Sequence, residues 1–206
     1  MDSDFDPTAL RPIHTAADFR LLPDRAELVT SPHTDLWQRT YYGFRNDNAP
    51  MLATEADRPY FSFTVRTEAD TRHQFDQCGI AVYLDSDNWL KASVEHGGKD
   101  GVPLLGSVVT NAGWSDWATC PVAPGTRVMW YRLSRRGQDF RLEASEDGRA
   151  FRQLRICRLH AAAGTIPFGV YACSPEDSSF RAVFTDFALT ECLWAAHDGQ
   201  PPDPEI

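Results

Sequence analysis

The stretch FDQCGIAVYLDSDNWLKASVE, residues 75–95, decides the fold. Two alternating runs, QCGIAVYL and WLKASVE, flank DSDN at 85–88, whose side chains favour a tight turn, so the segment reads as a β-hairpin. Successive side chains of a strand point to opposite faces. Leu90, Ala92 and Val94 therefore share one face, and Trp89, Lys91, Ser93 and Glu95 share the other. Burial selects the register. With Tyr83 opposite Trp89, Ala81 faces Lys91, Gly79 faces Ser93 and Gln77 faces Glu95. Cys78, Ile80, Val82 and Leu84 then join Leu90, Ala92 and Val94 on an apolar side. A slip of one residue sets Lys91 beside Val82 and destroys that separation. The register implies a five-residue loop, an allowed hairpin length.

The polar face of this hairpin has the composition of a pocket floor. Small Gly79 and Ala81 leave a depression beside Ser93 and Lys91. Tyr83 with Trp89 closes one end, and Gln77 with Glu95 the other. Lys91 and Glu95 stand roughly 13 Å apart along the strand, too far for a direct ion pair, so each calls for another partner or a ligand. Of the 20 Lys and Arg residues only Lys91 and Lys99 are lysine, so Lys91 is not this chain's habitual surface cation. Lysine also differs from arginine in how readily its pKa moves.

Outward from the hairpin, the chain between Tyr60 and Leu189 repeats short alternating runs with turn chemistry about every 10 residues, the pattern of a sandwich or barrel. YFSFTVRTE, LLGSVVT, RVMWYRLSRR, QDFRLEAS, IPFGVYACS and FRAVFTDFAL are the further expected strands. GGKDGVP, RRGQD, EDGR and SPEDSS supply the turns. TAADFRLLP reads as a strand or a short helical turn, and TDLWQRTYYGFRNDNAP as a strand entering a polar loop. The acidic, Pro-rich tail at 197–206 is expected to fray. A length of 206 residues with 42% hydrophobic content suits one β-sandwich domain over residues 1–206.

A net charge of -9 without a basic block argues against nucleic acid as a partner. No apolar run approaches about 18 residues and the N-terminus lacks a signal-peptide pattern, so no membrane partner and a cytoplasmic location are expected. Five cysteines without CxxC spacing and six scattered histidines suggest neither a disulfide framework nor a metal site. DSDN and RNDN read as turns rather than calcium loops, because one short loop rarely supplies enough oxygen ligands.

TDLWQRTYYGFRNDNAP, FDQCGIAVYLDSDNWLKASVE, GSVVTNAGWSDWAT, WYRLSRRGQDFRLEASEDGRAFRQLR and FGVYACSP, in that order, resemble the DUF1349 family. Its members are also called regulation-of-enolase-1-like proteins, within the concanavalin A-like lectin/glucanase superfamily. The resemblance covers residues 15–190. It implies a jelly-roll sandwich of two antiparallel sheets with a concave binding face, and it implies no established reaction. The family pattern falls on Trp37, Thr40, Tyr42, Asp76, Gln77, Gly79, Trp89, Lys91, Glu95, Ser107, Thr110, Ser115, Asp116, Trp117, Arg132, Ser174 and Pro175.

Sandwiches of this superfamily commonly hold sugars on the concave sheet or rim. The candidate ligand-binding set is Trp37, Tyr42, Gln77, Lys91, Ser93, Glu95, Ser107, Asp116, Trp117 and Arg132. WSDW, 114–117, is expected in a loop. The leading expectation is a small-molecule or sugar ligand, a carbohydrate or similar polyhydroxylated metabolite. One alternative is an enzyme of proton-transfer, isomerase, lyase or hydrolase type acting on a small metabolite. Its candidate catalytic groups are Lys91, Glu95 and Asp116, with Lys91 as a base if burial depresses its pKa. Glycoside hydrolysis requires two carboxyls about 5–9.5 Å apart, and the ExDxE strand motif is absent. There is no GxSxG, Walker or Rossmann motif, and no cofactor is expected. A further alternative is a regulatory protein-interaction module. Homodimer formation is compatible with the sequence.

Overall fold

The computed structural model describes residues 5–97 and 101–195, and the tail at 197–206 lies outside them. Among the described residues the chain forms a short 3-10 turn, Pro7–Ala9, and sixteen strands. The first eight are β1 (Arg11–Ile13), β2 (Asp18–Leu22), β3 (Arg25–Val29), β4 (Leu36–Gln38), β5 (Arg45–Asp47), β6 (Met51–Ala56), β7 (Tyr60–Ala69) and β8 (Gln77–Asp85). The others are β9 (Asn88–Glu95), β10 (Leu104–Asn111), β11 (Trp114–Pro121), β12 (Val128–Arg136), β13 (Asp139–Ser145), β14 (Arg152–Arg158), β15 (Ile166–Cys173) and β16 (Arg181–Thr190).

Fourteen of these strands form two seven-stranded sheets, ordered β1-β6-β15-β8-β9-β10-β11 and β14-β13-β12-β7-β16-β3-β2. The named strands pair antiparallel, as in the expected jelly-roll sandwich. No described helix is long and apolar enough to cross a membrane.

The β8–β9 register places Tyr83 opposite Trp89, Ala81 opposite Lys91, Gly79 opposite Ser93 and Gln77 opposite Glu95, as burial demands. The loop is shorter than the expected five residues. Pairing resumes at Asp85 with Asn88, leaving Leu84 as a bulge. The Asp85 carboxylate accepts from the Asp87 backbone N–H at 2.8 Å and from Asn88 Nδ2 at 2.9 Å, which closes the tight turn. WSDW is not a loop but the start of edge strand β11. Edge strand β14, also unanticipated, is largely exposed and lacks a clear apolar alternation.

Between the sheets, Ile80, Val82, Leu90 and Ala92 pack with Phe61, Phe63, Leu133 and Phe140. The Phe168 ring bridges to Phe61 and Phe63, with centroids 4.7 and 5.2 Å apart. Burying one such large side chain contributes about 1.5–3 kcal/mol. A second apolar cluster occupies the other face of the β8–β9 sheet, built from Leu36, Trp37, Met51, Ala53, Ala81, Trp89, Val108 and Tyr171. That face is therefore not an open groove, because the β4–β5 hairpin lies across it.

Hydrogen bonds fasten this roof to the sheet. Ser115 Oγ accepts from the Gln38 backbone N–H at 2.9 Å and lies 2.7 Å from Thr110 Oγ1. Arg39 donates to the Gly113 carbonyl at 2.8 Å, and Tyr83 donates to Asp47 at 2.9 Å. Arg45 pairs with Asp87 at 2.7 Å.

Candidate functional site

The roof leaves a pocket of about 240 Å³ above one end of β9. Lys91, Glu95 and Gln77 stand on its floor. Trp37, Tyr42, Phe44, Phe75, Val108, Trp117 and Pro175 give apolar walls, and Asp35, Asn46 and Glu176 add polar ones. Period-two alternation places these groups together. Val108 lies opposite Lys91, and Trp117 opposite Val108, so all three project from one face.

Lys91 is 4% exposed and donates to Asp35 Oδ1 at 3.0 Å. Asp35 is held where the hairpin closes. Its Oδ1 also accepts the Leu36 backbone N–H at 2.7 Å, and its own backbone N–H donates to Asn48 Oδ1 at 2.9 Å. Burial disfavours the Lys91 ammonium, but Asp35, with smaller help from Cys173 and Glu95, offsets it, and the Lys91 pKa lies above its ordinary value. The expectation of a lysine base with a depressed pKa is thereby corrected: Lys91 is a fixed cation. An ammonium has three donors, and Asp35 is its only hydrogen-bond partner among the described residues.

Glu95 is the less satisfied group. Burial pushes it up to about 7; Lys91 pulls against this and Asp35 adds to the rise. Its Oε2 accepts from Gln77 Nε2 at 3.4 Å, while its buried Oε1 has no hydrogen-bond partner among the described residues. Gln77 is more fully engaged. Its Oε1 accepts from Tyr171 Oη at 2.8 Å and Ser93 Oγ at 3.3 Å, and its Nε2 also donates to the Phe75 carbonyl at 3.0 Å.

The depression expected beside Ser93 is filled. Tyr171 on β15 lies opposite Gly79 and is fully buried, with its hydroxyl on Gln77 and its ring centroid 5.7 Å from Lys91 Nζ. Gly79 is obligatory here for a different reason: a Cβ would come within 1.8 Å of the Ala92 carbonyl oxygen. Ser93 supports Gln77 and borders only a crevice of about 10 Å³.

Trp37, Tyr42, Gln77, Lys91, Glu95 and Trp117 thus meet at one pocket; Ser93, Ser107, Asp116 and Arg132 do not. Ser107 lies opposite Ala92, so its side chain shares the core-side face, where its hydroxyl accepts from Arg155 Nε at 2.8 Å. Asp116 lies opposite Val109 on that same side and pairs with Arg155 at 3.5 Å. Both help to clasp one sheet to the other. Arg132 belongs to β12 in the second sheet, between core residues Tyr131 and Leu133, so it faces outward and pairs with buried Glu143 at 2.7 Å. Asp35, which pairs with Lys91, and Tyr171, which bonds Gln77, were not among the sequence candidates, nor were the lining residues Phe44, Asn46, Phe75, Val108 and Glu176.

This geometry defines a two-sheet β-sandwich with a roofed, aromatic-walled pocket over a lysine and a buried carboxyl. The chain belongs to the DUF1349 family, described as a protein of unknown function, whose profile matches residues 15–192. It is 33% identical over 175 residues to Regulation of enolase protein 1 of Saccharomyces cerevisiae, covering 84% of this chain and 86% of that protein. The crystal structure of a functionally unknown protein from Saccharomyces cerevisiae superposes with a TM-score of 0.84 at 28% identity, covering 92% of this chain and 100% of that one. A xylan beta-1,4-xylosidase from Bacillus halodurans shares the fold at a TM-score of 0.66 and 14% identity, over 81% of this chain and 33% of that one.

Proposed function

We propose that this protein binds a carbohydrate or similar polyhydroxylated metabolite in the Lys91–Glu95 pocket. The observation that carries the reading is the unspent hydrogen-bonding capacity of its floor, two Lys91 donors and Glu95 Oε1, beneath aromatic walls. Aromatic faces cover the apolar side of a sugar ring, while a few polar groups fix its hydroxyls. The xylan beta-1,4-xylosidase contains a domain of this fold, which is in keeping with a sugar ligand but contributes no residue-level argument at 14% identity. Isothermal titration calorimetry against a panel of neutral sugars tests the proposal. Wild-type binding that falls at least tenfold in Lys91→Met supports it, and a panel without binding contradicts it.

One observation favours a second reading, proton transfer on a small metabolite. A carboxyl with a pKa near neutrality is matched to acid–base work, and Glu95 at about 7 fits that description. Turnover of a bound sugar that disappears in Glu95→Gln supports this reading. Binding without any product counts against it.

A further inference from the structure

The pocket is not isolated. A second, more open depression of about 440 Å³ adjoins it, bordered by Thr40, Tyr41, Tyr42, Trp37, Ser115, Asp116 and Trp117. Trp37, Tyr42 and Trp117 border both spaces. The inner pocket by itself falls below the roughly 300 Å³ at which small-molecule sites usually begin, so it suits a single ring. The two spaces together suit a longer ligand.

Resting on the reading of the inner pocket as a sugar site, we infer that the ligand is an uncharged oligosaccharide of at least two rings. One ring lies over Lys91 and Glu95, and a neighbouring ring lies on the outer shelf of Tyr41, Tyr42 and Trp117.

Three features of the shelf support this placement. First, its rings are accessible: Tyr41 is 93% exposed, Tyr42 53% and Trp117 38%. They continue the inner wall without a break, with centroids 6.1 Å apart for Trp37 and Trp117, 5.6 Å for Trp37 and Tyr42, and 5.0 Å for Tyr41 and Tyr42. Second, the 39–44 loop presents them at a conformational cost. Arg39 and Tyr41 have left-handed backbone at φ 56° and 62°, and Tyr41 gains almost no burial in return. Third, the dividing wall carries an unspent donor. Trp37 borders both spaces, and its buried Nε1 has no hydrogen-bond partner among the described residues.

Charge sets the ligand class. Asp35, Glu95 and Glu176 line the inner space, against the single lining cation Lys91, which is already paired to Asp35. An acidic glycan is repelled at such a site, whereas a neutral one is not.

Calorimetry on wild type, Tyr41→Ala and Lys91→Met tests the inference. The probes are xylose, xylobiose and xylotriose; glucose, cellobiose and cellotriose; maltose and maltotriose; and digalacturonate as the acidic control. A neutral disaccharide is expected to bind at least tenfold more tightly than its own monosaccharide. Tyr41→Ala is expected to erase that gain and leave the monosaccharide affinity unchanged, while Lys91→Met weakens both. Equal affinity for mono- and disaccharide, both lost in Lys91→Met, overturns the two-ring inference and leaves the inner pocket standing. Tighter binding of digalacturonate than of every neutral probe overturns the charge assignment. Self-association by sedimentation that vanishes in Tyr41→Ala, with the sugar series unaltered, assigns the shelf to a second copy of the chain instead. No binding by wild type to any probe defeats the reading of the inner pocket itself.

Discussion

Replacing Glu95 with glutamine removes a charge while keeping the shape of the side chain. The carboxyl has an ordinary value of 4.5 and stands at about 7 in the fold, chiefly because it is buried. The folded state therefore holds a proton that the unfolded chain has released between those two values. Stability of the wild type is full below pH 4.5 and falls as pH rises through this window, with the loss complete above pH 7. At about 1.4 kcal/mol per pH unit, the gap from 4.5 to about 7 corresponds to about 3 kcal/mol. Glutamine has no such dependence. Urea unfolding of both proteins from pH 4.5 to 8.5 is expected to show the variant gaining on the wild type by about 3 kcal/mol across the series. In thermal melts of a chain this size, the same difference is roughly 6–12 °C. Parallel stability profiles would mean that Glu95 ionises freely and is not desolvated.

Other perturbations separate the pocket from its surroundings. Asp35→Asn strands the buried Lys91 cation and is expected to destabilise the fold by about 3 kcal/mol in urea melts, more than Lys91→Met, which removes the cation itself. Gly79→Ala drives a methyl into the Ala92 carbonyl and is expected to cost at least about 3 kcal/mol in the same assay, with strand separation visible as lost amide protection. Arg132→Ala breaks the pairing with Glu143 on the outer face of the second sheet; it is expected to lower the melting temperature yet leave sugar affinity within twofold by calorimetry.

The hairpin that frames the site is legible because its information is local. One turn and one burial rule fix which face carries Lys91 and Glu95, and the sheet adopts that register. Its neighbours are harder to read. Ser107 came from the family pattern and not from a strand register, and the pairing of β10 with β9 sets it opposite Ala92 on the core-side face. The same holds for Asp116 one strand further out, opposite Val109. Tyr171 reaches Gln77 across 94 residues of sequence and Asp35 reaches Lys91 across 56, so both contacts depend on strand order that no local pattern encodes. Arg132 sits in a comparable alternating strand, but alternation does not say which sheet the strand joins. The roof was partly visible, since a strand entering a polar loop at TDLWQRTYYGFRNDNAP became β4 and β5. Its docking on the sheet follows from distant ties to Ser115, Gly113 and Asp87.

Two-dimensional 1H–15N NMR reports at once where a ligand binds and which ligand binds. Titrating the labelled protein with a neutral disaccharide that binds in calorimetry is expected to shift the indole N–H signals of Trp37 and Trp117 and the backbone amides of Lys91–Glu95. Signals from the separate cavity bordered by Leu105, Cys120 and Met129 are expected to stay fixed. Shifts confined to that cavity, or a spectrum unchanged at saturating sugar, contradict the account.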